Sequence, residues 1–180
     1  MQTVRSGNAN VPILASSESE TQVQIPFDVT GSALSLALES SAGRRILPVP
    51  LEAAAPGIFI DRDGTPMILD ADAGITLDAM LPARSGQRIQ ILTTGMGRVV
   101  PAWQAGVPAP TDDPPRVAAA VKVFMDRVEL EVVRATLAPR YIGFYLIEVR
   151  LPDLVNAGPA ELYITADGAE SNRVRLYVEP

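Results

Sequence analysis

Asp61-Arg62-Asp63-Gly64, followed by Asp70 and Asp72, is the one cluster in this chain with cation-ligand character. Calcium takes several oxygens from a flexible turn, and alternating aspartates ahead of a glycine are how such loops begin. Asp61 and Asp63 are therefore candidate calcium ligands. A full EF-hand loop needs more ligands and a distal glutamate, which are absent, and the same residues also spell an Asp-Gly turn between strands. Paired carboxylates could serve glycoside hydrolysis. Glu129 and Glu131 share one strand face, but alternation with Val128, Leu130 and Val132 makes that face a solvated one. Glu148, beside Arg150, reads the same way. Gly95 and Gly97 have the composition of a phosphate loop, yet no helix start follows them to supply anion-binding geometry. Trp103, the single tryptophan, lies in a proline-rich stretch at 99–115 and is the candidate partner-binding residue, because an exposed aromatic on a long loop can anchor a ligand. Its alternative is to fold back and cap the core.

Missing residue types exclude more than these clusters include. With no cysteine there is no disulfide, no thiolate nucleophile and no zinc-cysteine site. With no histidine there is no Ser-His-Asp catalysis, no imidazole metal ligand and no neutral-pH proton shuttle. A net charge of −6 repels phosphate backbones and anionic lipid, so nucleic acid is not an expected partner. The opening segment MQTVRSGNANVPILASS lacks the apolar core of an export signal, and no run approaches the ~18 apolar residues of a membrane span. A location outside the cytoplasm would rest on a signal lying upstream.

The elements that carry these residues read as strands. Tyr145, Ile147, Val149 and Leu151 alternate with Glu148 and Arg150 and stop on Pro152, the pattern of a half-buried strand ended by proline. The same signals occur at 21–26, 34–38 and 47–51, where Pro48 and Pro50 imply a sheet edge. Residues 88–93 form another alternating strand. Strands at 117–124 and 128–133 are joined by a turn at Met125-Asp126-Arg127, and Tyr141, Phe144 and Tyr145 read as core and corner packing. The alanine-rich pieces are too short for stable helices. Aligning Pro26 with Pro152 places Leu36 and Leu38 on Leu162 and Ile164. After a one-residue shift, Leu47, Val49 and Leu51 fall on Val174, Leu176 and Val178, the mark of an internal repeat.

Ala55-Pro56-Gly57-Ile58-Phe59, Thr94-Gly95-Met96-Gly97 with Pro101, Leu137-Ala138-Pro139 running into Gly143-Phe144-Tyr145, the stretch 149–152 and the closing Ser171-Asn172 carry a resemblance. In that order they resemble the uncharacterised C-terminal domain family first described in Solibacter and other acidobacteria. The stretch from Ile13 to Pro26 is similar to the segment that precedes that domain. The resemblance implies secreted or cell-surface proteins with immunoglobulin-like modules, and the order of strands from Gly86 looks like the IPT/TIG type. It supplies no activity and no catalytic residues. This chain departs from the pattern in that the strands which begin the first module are missing.

The expected fold is all-β: tandem immunoglobulin-like β-sandwich modules, a partial one at 1–54 and an IPT/TIG-like one at 55–180, joined near 52–56. The expected function is a non-enzymatic, extracytoplasmic structural, adhesion or assembly module without a cofactor, binding a protein partner or its own copies through sheet edges and loops. The rival readings are a carbohydrate- or calcium-dependent binding module, and the accessory terminal domain of a secreted enzyme.

Overall fold

The computed structural model describes residues 3–7, 9–41 and 43–180, and among these it contains strands and turns without a helix. Asn8 and Ala42, which belong to the turns read at 6–8 and 40–43, lie outside the described residues.

A first region holds β1 (Thr3–Ser6), β2 (Ala9–Asn10), β3 (Ile13–Ser16), β4 (Thr21–Val23), β5 (Ala33–Ser40) and β6 (Gly43–Pro50). It forms an antiparallel sheet in the order β2-β1-β5-β6 and a separate hairpin, β3-β4. The second region begins with β7 (Gly57–Ile58), β8 (Ile68–Asp70), β9 (Ala83–Arg84), β10 (Arg88–Thr94), β11 (Val99–Val100) and β12 (Arg116–Val117). It continues with β13 (Val121–Met125), β14 (Val128–Leu137), β15 (Tyr145–Arg150), β16 (Gly158–Ala166), β17 (Ala169–Glu170) and β18 (Val174–Glu179). Its strands run β7-β10-β15-β14-β13-β16-β18-β9, with β8 also on β10 and β12 on β14. The long strand β14 belongs to two neighbours in turn: its start pairs with β13 and the remainder with β15. The change of partner falls between Leu130 and Glu131, and a bulge at Val133, just inside the part paired with β15, adds a local bend.

The pairings of the two regions coincide. Ser6 opposes Ala9 as Met125 opposes Val128. Val4 opposes Leu38 as Val123 opposes Ile164. Leu36 opposes Leu47 as Leu162 opposes Val174, and Leu34 opposes Val49 as Ala160 opposes Leu176. In the β3-β4 hairpin Ile13 opposes Val23 and Ala15 opposes Gln22, just as Val132 opposes Val149 and Arg134 opposes Glu148. The skipped residue, Leu14 in one region and Val133 in the other, stands at the same place. The first six strands are thus a copy of β13, the two parts of β14, β15, β16 and β18. Among the described residues the second copy alone is joined by further strands, those of residues 57–117, with β10 along the outer edge of β15.

Alternation supplies the cores. Ile89 and Ile91 of β10, Ile147 and Val149 of β15 and Leu162 and Ile164 of β16 are fully buried in one cluster that spans the second region. The first region has its own smaller cluster of Val4, Val11, Leu34 and Leu36, bordered by half-buried residues up to Leu51, while Ala54 already belongs to the larger one. The regions meet through loops. Gln24, buried, accepts a bond at its side-chain oxygen from the Gly106 N–H (2.7 Å), and Phe27 sits edge-on to Tyr145.

Three expectations change. Tyr145 is core, but Tyr141 is exposed and Phe144 packs between Phe59 and Tyr141 in a half-buried aromatic row. The strand read at 117–124 is two strands, because β12 turns to pair with β11 and β14 before β13 begins. That same β11-β12 pair gives the proline-rich stretch regular ends. Glu148, read as solvated, is buried.

Candidate functional site

The carboxylates of the candidate calcium turn are engaged with their own backbone. Asp61 Oδ1 accepts from the N–H groups of Asp63 (2.9 Å) and Thr65 (2.8 Å), which is how an aspartate closes a turn. Asp63 is exposed. Asp70 repeats the device with the N–H groups of Ala73 and Asp72, which hold its carboxyl below the usual range, and Asp72 pairs with Arg88 at 2.5 Å. Among the described residues no three acidic side chains converge as a metal site would require. Asp61 and Asp63 belong to one such turn, and Asp70 and Asp72 to another.

Glu148 is the polar centre that alternation missed. It lies on the face of β15 opposite the core, where β10 and β14 place Gln90 and Arg134 directly beside it in register. Arg134 reaches one carboxylate oxygen at 2.7 Å, Gln90 the same oxygen at 3.2 Å and Arg88 the other at 3.2 Å. Burial alone would raise its pKa; the bonds from Gln90 and Arg134 and the charges of Arg134 and Arg88 outweigh that and hold the carboxyl below its ordinary value. Arg134 and Gln90 bind Glu148, and Arg88 is shared between Glu148 and Asp72, so the group is a clasp that ties β10, β14 and β15 together. Glu129 and Glu131 are exposed, and Glu129 pairs with Lys122.

Trp103 is half-buried. Its ring packs on the second core cluster and its N–H donates to the Val107 carbonyl (3.1 Å) within its own loop. The paired motifs at 53–59, 94–97 and 171–172 brace one another. The Gly95 carbonyl accepts from the Ala55 N–H (2.7 Å), and a Cβ on Gly95 would stand 1.8 Å from the Ala55 carbonyl oxygen. Tyr145 donates its hydroxyl to the Gly97 carbonyl (2.5 Å), and burial pushes its pKa up. Asn172 binds both the N–H and the carbonyl of Ile58, as a substitute strand would. These glycines and the asparagine are a fastening for residues 53–59.

Among the described residues, two surface clefts bear on recognition. The larger, about 590 Å³, is bounded by Ile60, Asp78, Met80, Arg173 and Tyr177. Its Asp78 caps a turn, and Arg173 is committed to Glu161, Glu170 and the ring of Tyr163. The smaller, about 270 Å³, lies in the first region between the β3-β4 hairpin and the sheet, lined by Val4, Val23, Leu36, Leu38 and Leu47 with the 17–20 turn at its rim. The residues equivalent to those five in the second copy are Val123, Val149, Leu162, Ile164 and Val174, all inside a closed core with Ile68, Ile89, Ile91 and Met96. The smaller cleft is an opened version of that core. Sequence alternation marks its lining residues as apolar, and among the described residues no strand covers it as β10 covers the second core.

No protein-family model matches this chain, and no curated protein matches it significantly. Among the described residues no helix is long and apolar enough to cross a membrane.

Proposed function

We propose that the chain is a non-enzymatic structural and assembly module, built from two immunoglobulin-like units and binding a protein partner through strand edges. The observation that carries this reading is the pairing: β15 has β10 and β14 as neighbours, whereas its counterpart β4 has β3 as its one strand neighbour among the described residues. An uncovered edge is a row of backbone donors and acceptors that another strand can satisfy. β6, at the end of its sheet, carries Pro48 and Pro50, which block ladder bonds and steer pairing away from that edge. The unit boundary near 52–56 is supported by the separation of the two core clusters. An extracytoplasmic setting is supported by the motif resemblance alone.

Amide hydrogen exchange and light scattering on the chain, with and without calcium, test the reading. The expected result is fast exchange along β4 in a folded chain, or an oligomer in which that edge becomes protected. A monodisperse monomer whose β4 amides exchange as slowly as those of β16 would sink it, since every edge would then be covered.

A further inference from the structure

We propose that the larger cleft of the second region binds a neutral saccharide, with a sugar ring laid on Tyr177 and its hydroxyls against Asp63, Asp78 and Arg175. This goes beyond the assembly reading and does not rest on it, since the cleft shares no residue with β4.

Three segments build the site. Alternation along β18 buries Val174, Leu176 and Val178, which leaves Arg175 and Tyr177 on the outward face of the strand. The turn at 61–65 brings Asp63, and the turn at 78–81 brings Asp78 and Met80. Each turn is closed by an aspartate that accepts two backbone N–H groups. Asp61 takes those of Asp63 and Thr65, and Asp78 Oδ1 takes those of Met80 (2.7 Å) and Leu81 (2.9 Å). Arg173 is fastened to Glu161 and Glu170. The walls therefore stand in place before a ligand arrives, and little ordering is needed on binding.

What these bonds leave unused decides the ligand. Among the described residues the Asp63 carboxylate, Asp78 Oδ2 and the Arg175 guanidinium have no hydrogen-bond or ion-pair partner. An anion would meet the two aspartates, and a cation would meet Arg173 and Arg175. A hydroxyl satisfies both kinds of group, because it donates to a carboxylate and accepts from a guanidinium. Between the polar groups, buried Leu77 and Val174 give the cleft an apolar floor, and Tyr177 and the 91% exposed Met80 extend it. A pyranose has apolar ring faces and hydroxyls around its edge, so it answers both halves of this chemistry. The volume, about 590 Å³, lies within the ~300–1,000 Å³ of ligand sites.

Amide chemical shifts of the intact chain, titrated with cellohexaose, mannohexaose and xylohexaose, test the assignment. Polygalacturonate and free leucine serve as the anionic and zwitterionic probes. The expected result is saturable binding of at least one of the three neutral chains, with shifts confined to residues 60–66, 77–81 and 172–177. Tyr177→Ala and Arg175→Ala should each weaken it about tenfold, the loss of one stacked ring or one charge-assisted hydrogen bond, while Tyr177→Phe keeps it. Should Tyr177→Ala fail to fold, Arg175→Ala, a change on the exposed face, still reads the site. No binding of any of the three, shifts that fall outside the cleft, or full affinity in Arg175→Ala overturns the proposal. So does binding of polygalacturonate or leucine as tight as that of the neutral chains, because charge would then select the ligand. Failure of the assembly reading shows separately, in the exchange of the β4 amides.

Discussion

Leu47 and Val174 hold the same place in the two copies, each opposite its counterpart leucine, yet Leu47 is 49% exposed and Val174 8%. Gln22 and Glu148 are another such pair. Gln22 is exposed and bonded to Glu20, while Glu148 is buried beneath two arginines and a glutamine. The local pattern and the strand pairing are alike in both copies, so neither decides burial. Burial comes from the neighbours: β10 and β8 bring Ile68, Ile89, Ile91, Arg88 and Gln90 to the second copy, and the first has no equivalent among the described residues. A β-unit can therefore keep its register while missing part of its core, because register needs only cross-strand pairs and turns, whereas a closed core needs every layer.

The largest expected break in this comparison is a matched pair of truncations. Leu162→Ala should cost about 3 kcal/mol, since it leaves a closed cavity, and Leu36→Ala about 1.5 kcal/mol or less, since its space already opens into the cleft. Urea denaturation read by Trp103 fluorescence reports the first and amide exchange along β5 the second. Equal losses would mean that the cleft is not what distinguishes the copies.

Glu148→Gln puts the first copy's residue type into the second. With the folded carboxyl held below its ordinary 4.5, this group adds stability above that pH and loses it as pH falls through the folded value. The substitution should cost about 2 kcal/mol near neutral pH and flatten the acid side of the stability curve for the second region. A stability profile from pH 3 to pH 7 (a window bracketing the carboxylate range of ~4) with an unchanged acid limb would show that the clasp does not hold the strands.

The smallest effect runs the other way. Thr93 of β10 is fully buried, and its hydroxyl has no partner among the described residues. Thr93→Val should stabilise the second region by about 1 kcal/mol and leave exchange in the first unchanged, sharpening the difference that β10 makes. A melting temperature that does not rise would mean the hydroxyl is satisfied in solution.

Much of the fold was legible in the residues. The strands at 88–93 and 145–151 follow from strict alternation bounded by Gly86 and Pro152, and the edge character of β6 follows from Pro48 and Pro50. The repeat was visible in part: the alignment of Leu36 and Leu47 with Leu162 and Val174 matches the pairings, but the first hairpin was not seen, since Ser6 and Met125 share a register position without sharing a residue type. Asp61 and Asp63 announced a turn, as short polar side chains do, while nothing local told whether their oxygens would face a cation or their own backbone. Alternation also assigned Glu148 to solvent, because it counts two faces and cannot know that Arg88 and Arg134 from strands distant in the chain will cover one of them. The sequence by itself determined strand positions, turn types, the acidic surface and the want of histidine and cysteine chemistry, all of which depend on residue type and near-neighbour spacing. Only the tertiary structure decided which edge stands open, where Trp103 lies and which of two matching cores is closed, because those depend on what is brought alongside each strand by pairing across long stretches of chain.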